Sequence, residues 1–96
     1  MSNVDNEFYD RADAHIRLSN EHISEEISKG KASASMMYAT SRFNAWVSAS
    51  GWQTSEEMNA EKEETIAYFV EQYKAMLEEN LSDYIENFDS YMTRKE

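Results

Sequence analysis

Ala32 to Trp52 reads ASASMMYATSRFNAWVSASGW, and Arg42 is its only charge. The sequence on both sides is dense with acids. A nearly uncharged stretch rich in alanine and serine suits a helix lying between two neighbours, because small side chains let helix backbones come close. Read as a helix over residues 31–50, it carries a main stripe of Ala32, Met36, Ala39, Thr40, Phe43 and Val47, with Trp46 at the edge. Tyr38, Ala45 and Ala49 make a second, weaker face. Two usable faces are what a central helix needs, and Gly51 is placed to stop it.

Upstream, Asp5 can cap a helix that begins near Asn6. Phe8, Ala12, Ile16, Ile23 and Ile27 recur at helical spacing, Ser19 fills the gap in the row, and Tyr9 flanks it. This pattern predicts an amphipathic helix over about residues 6–28. Gly30 is placed to end it, with Lys29 near the negative end of the helix dipole. Downstream, Thr54 and Glu57 have the spacing of a capping box. An apolar row then runs through Met58, Ile66, Phe69, Val70, Tyr73, Leu77, Leu81, Tyr84, Ile85, Phe88 and Tyr91. It predicts a third helix over about residues 55–92, with Arg94 and Lys95 well placed at its C-terminal end. Residues 1–5 and 93–96 are expected to fray.

The 96 residues include no proline, no cysteine and two glycines. Such sparse punctuation fits one all-α domain over residues 1–96 and argues against a sheet protein, which needs many turns. Without cysteine there are no disulfides or thiolate metal sites, which fits a reducing compartment such as the cytoplasm. The formal net charge is −10. Nucleic acid and anionic membrane surfaces are poor partners for it, whereas a basic protein is a compatible one. No basic segment followed by an apolar run marks a signal peptide. The serines, Arg42 and Asn44 of the middle stretch argue against a membrane span.

Short connections make adjacent helices antiparallel neighbours, so the expected architecture is an up-down-up bundle of three helices. That register sets Phe43 opposite Ile16, Met36 opposite Ile23 and Phe69, Ala39 opposite Ile66, and Val47 opposite Met58. The third helix is nearly twice as long as the others. Beyond about Leu77 it outruns them, yet Leu81, Tyr84, Ile85, Phe88 and Tyr91 continue its apolar side. Either the chain bends near Asn80 and a fourth helix folds back, or another subunit of a homo-oligomer covers the row, with the second preferred. A row of this size left in water would be an unusual exposed patch.

Chemistry-bearing residues are few. His15 and His22 stand two helical turns apart, about 10 Å, too far to share one metal ion. His22 and Glu26, one turn apart, are a weak candidate ligand pair, and Glu57, Glu61 and Glu64 form a carboxylate row that reads as a solvated face. Arg42 is expected to pair with Glu61 or with an acid of the first helix, fixing helix register. No nucleophile elbow or glycine-rich phosphate loop is present, and no cofactor is implied.

Several short segments carry a resemblance: Phe8-Tyr9-Asp10-Arg11-Ala12-Asp13, Gly30-Lys31, Ser33-Ala34-Ser35, Arg42-Phe43-Asn44-Ala45, Glu61-Lys62-Glu63-Glu64, Tyr68-Phe69 and Tyr84-Ile85-Glu86-Asn87-Phe88. Through them nearly the whole chain resembles a family of small bacterial proteins, the domain of unknown function numbered three-one-four-four. The resemblance implies a bacterial, cytosolic, all-helical protein and supplies no activity. Asp10, Arg11, Asp13, Arg42 and Asn44 are the polar members of those segments to examine for a shared cleft.

Three functions are therefore expected in order. The first is a non-enzymatic interaction or self-association module using residues 81–92. The second is a small-ligand or metal-binding domain built on Asp13, His15, Arg42 and Asn44. The third is an acidic mimic of nucleic acid that binds a basic protein.

Overall fold

The structure, a computed structural model, describes residues 5–93. The fraying expected for 1–4 and 94–96, and the positions of Arg94 and Lys95, lie outside the described residues. The described residues are all-helical, without a strand: α1 Phe8–His22, α2 Lys29–Ala49, α3 Ser55–Ala60, α4 Lys62–Glu86 and α5 Phe88–Tyr91. The chain divides into two compact units, one running through Val47 and one from Ser48 onward.

In the first unit, Asp5 precedes the helix rather than capping it: α1 begins at Phe8, two residues later than expected, with Glu7 as its N-cap residue and no side-chain cap hydrogen bond. The Asp5 carboxylate instead accepts from the Glu7 backbone N–H in the turn before the helix, at 2.9 Å, and pairs with the Arg11 guanidinium at 3.0 Å. The Arg11 hydrogen bond, followed by that of the Glu7 amide, holds the Asp5 carboxyl below the ordinary aspartate value. Helix α1 ends at His22, six residues before the predicted boundary. Two serines account for the difference. Ile23 turns extended, and the Ser24 hydroxyl accepts from the N–H groups of Glu26 and Ile27, at 3.2 and 3.1 Å. A hydroxyl that satisfies nearby amides offers the backbone an alternative to the helix. Ser28 then restarts the helix, its hydroxyl accepting from the Lys31 N–H at 3.2 Å and its carbonyl from the Ala32 N–H at 3.1 Å.

Gly30 therefore does not terminate a helix. It lies in the first turn of α2, without a positive φ, and Lys29 stands at that helix's positive end rather than at the negative end of α1. A Cβ added at Gly30 would meet only the Ser28 hydroxyl oxygen, at 3.8 Å. Gly30→Ala is thus expected to raise stability by about 0.4–1 kcal/mol, mostly by restricting the unfolded chain. A thermal melt checks this, and a lower melting temperature would contradict it. The C-terminal end of α2 agrees with expectation: Gly51 and Trp52 donate to the carbonyls of Ser48 and Ala49 and close it.

In the second unit, the Thr54–Glu57 capping box is formed in both directions. Thr54 Oγ1 accepts from the Glu57 N–H at 3.1 Å, and the Glu57 carboxylate accepts from the Thr54 N–H at 3.2 Å. The long third helix is interrupted at two places. At Glu61 the amide bonds the Met58 carbonyl in a tighter turn. At Asn87 the side-chain amide donates to the Asp83 carbonyl at 3.1 Å and to its carboxylate at 2.9 Å. The expected bend at Asn80 does not exist. Asn80 Nδ2 also reaches back four residues, to the Met76 carbonyl at 2.9 Å, but α4 continues through it. The alternative of a fourth helix folding back from Asn80 is thereby overturned, since α5 begins only at Phe88 and has four residues.

Tyr91 secures this last turn. Its hydroxyl donates to the Asp83 carboxylate at 3.0 Å, and its ring meets Tyr84 at 4.8 Å between centroids. That hydrogen bond to a neighbouring anion raises the Tyr91 pKa above its ordinary value of about 10. A raised value means the contact holds α5 at pH below about 10 and is lost as the pH climbs through the still higher value of folded Tyr91. Tyrosinate absorbance should show Tyr91 ionising later than in Asp83→Asn, and the α5 amide signals should shift with it. Identical titrations would refute the contact.

Candidate interaction surface

Ala32, 4% exposed, is the buried residue among those described. Large apolar side chains lie open throughout, including Ile16 at 50% and Phe43 at 61%. The expected Phe43–Ile16 contact therefore does not shield either partner. On α2, Phe43 and Trp46 stack on one another at 5.6 Å, and both rings remain exposed.

The longest such face is on α4. Val70, Leu77, Tyr84 and Tyr91 recur every seven residues, and Ile66, Tyr73, Asn80 and Asn87 make a second seven-residue series beside them. Two interleaved series at this period put a seam along one side of a helix. Positions 67, 74, 81, 88 and 69, 76, 83, 90 flank that seam. Seam and flanks together hold only Lys74 and Asp83 as charges, while Glu71, Glu78, Glu79, Glu86 and Asp89 occupy the outer positions. Leu81, Ile85 and Phe88 form an adjoining row at four- and three-residue spacing, with Ile85 the most open at 75%. Within this unit, α3 and α5 have six and four residues and are too short to shield a helix of 25. The five interface candidates named from the sequence, Leu81, Tyr84, Ile85, Phe88 and Tyr91, are all exposed; Leu81, Tyr84, Phe88 and Tyr91 lie on the seam or its flank, whereas Ile85 falls in the same series as the outer Glu71 and Glu78. The sequence reading overlooked the seven-residue recurrence and the exclusion of acids from the seam. The signal was visible in the spacing, but it has meaning only where the helix is uninterrupted.

The polar candidates are more dispersed. Asp13 and His15 are exposed on α1, Arg42 is exposed on α2, and Asn44 is half-buried there. Residues two apart on a helix do not face each other, so neither Asp13 with His15 nor Arg42 with Asn44 shares a helix face. Arg42 makes no ion pair with an acid of α1; the ion pair found among the described residues is Arg11–Asp5. His22 is the last residue of α1, and Glu26 lies in the serine turn after it, so the two are not one turn apart on a helix. Glu57 belongs to α3, Glu61 to the break and Glu64 to α4, which divides the carboxylate row. Among the described residues, no three of His, Cys, Asp and Glu cluster as metal ligands. Nor is any helix among them long and apolar enough to cross a membrane.

A family model described as a protein of unknown function, DUF3144, matches residues 8–85. A comparison with curated proteins gives no match. Among solved structures, the NMR structure of the protein NB7890A from Shewanella sp is similar, with 45% sequence identity and a TM-score of 0.78. The similarity covers 97% of this chain and 99% of that one.

Proposed function

The chain belongs to the DUF3144 family, described only as of unknown function, and we propose from its surface that it is a non-enzymatic protein-interaction module. The carrying observation is the uninterrupted α4, whose apolar seam holds no charged residue and has one acid, Asp83, on its flank. Single exposed apolar residues are ordinary on a folded protein, but a contiguous row several turns long is characteristic of an interaction site. Water in contact with this row makes covering it favourable, by roughly 25 cal/mol for each Å² of apolar surface removed from water. The acids at the outer positions keep the opposite side of the helix solvated. In this reading the exposed apolar side of α4 serves as the docking edge. A cysteine-free chain of this kind suits a reducing compartment such as the bacterial cytoplasm.

A photoreactive phenylalanine analogue placed at Tyr84 and activated in living cells tests the reading. A covalent protein adduct is expected from position 84 and not from Glu79 on the outer side. Absence of any adduct at 84, with the protein expressed and helical, would overturn it.

A further inference from the structure

We propose that the seam of α4 and α5 is covered by a second copy of this chain, in a two-fold symmetric dimer; this rests on the reading of that face as protein-binding. Two observations select the occupant. The first is area. Eight large side chains of the seam and its flanks from Ile66 to Tyr91, each about half exposed, present on the order of 900 Å². A stable complex of standard size needs about 800 Å² from each partner.

The second is charge. A basic partner would be drawn to the acids, yet Glu71, Glu78, Glu79 and Glu86 stand outside the seam. Two copies of a chain with net charge −10 can meet only where most of their carboxylates are turned away, and the uncharged seam, flanked by Lys74 and Asp83 alone among charged residues, meets that condition. An antiparallel pairing centred between Leu77 and Asn80 sets Tyr73 against Tyr84 of the second copy and Ile66 against Tyr91. It also lays the two helix dipoles in opposite directions, which is the favourable sense.

Sedimentation equilibrium of the full chain tests this. Twice the single-chain mass of 11.2 kDa is expected. Tyr84→Glu should weaken the association roughly tenfold or more, with the helical circular dichroism retained, and Glu79→Gln should leave it unchanged. Should Tyr84→Glu fail to fold, a mixture of isotope-labelled and unlabelled wild-type chains decides instead, through intermolecular contacts between Tyr73 and Tyr84. A single-chain mass at high concentration, or the absence of those contacts, overturns the dimer. If the mass is that of one chain while Tyr84 still gives an adduct to another protein in cells, only the second copy is excluded and the module reading stands. If no adduct forms, the reading itself falls.

Discussion

Asn80→Pro is expected to destabilise α4 by about 3 kcal/mol or more, the usual cost of proline inside a helix. The ring removes the amide hydrogen that would bond the Met76 carbonyl and clashes with that same carbonyl. In the native chain this carbonyl also accepts from Asn80 Nδ2 at 2.9 Å, so two hydrogen bonds converge where the ring would sit. Splitting the helix there swings Tyr84 and Phe88 out of line with Val70 and Leu77. A large fall in helical circular dichroism and in melting temperature is the measurement. If Asn80→Pro melts like the wild type, the chain already bends at Asn80 in solution and the continuous α4 is wrong.

Ala32→Phe is expected to cost about 1–3 kcal/mol, the range for forcing a larger side chain into a packed position. Ala32 is 4% exposed and its amide donates to the Ser28 carbonyl, so it stands where the serine turn joins α2. A phenyl ring there must displace the turn or the first turn of α2. Ala34→Phe, two residues on and exposed, should stay within about 0.5 kcal/mol. Equal melting temperatures for the two variants would show that Ala32 is not held in a packed position.

The contrast between these two sites explains what could be read from the sequence. Elements marked by side chains that bond their own neighbouring backbone were legible where the pattern is directional. Thr54 and Glu57 announce a helix start, and Gly51 announces an end. Ser24 and Ser28 use the same chemistry without a distinctive companion, so the apolar spacing of Ile23 and Ile27 outweighed them and α1 was read too long. Gly30 misled for a related reason: glycine often follows a helix end, but here the preceding serine had already begun the next helix. Asn80 and Asn87 look alike in sequence. Only Asn87 interrupts the helix, where its amide bonds the Asp83 carbonyl and carboxylate and Tyr91 bonds that carboxylate too.

Residues 81–91 were legible as a continuing apolar row because helical spacing persists through α4 and into α5. Asp13 and His15, like Arg42 and Asn44, do not read as side-by-side partners, since residues two apart on a helix point to different sides.

Glu71, Glu78, Glu79 and Glu86 also set a limit on growth. A further helix laid against the outside of α4 would bring carboxylate against carboxylate, with no basic residue at those positions to relieve the repulsion. In the proposed dimer the one edge open to contact is the same on both copies and is used up in their two-fold pairing, so that assembly closes at two chains instead of lengthening into a fibre.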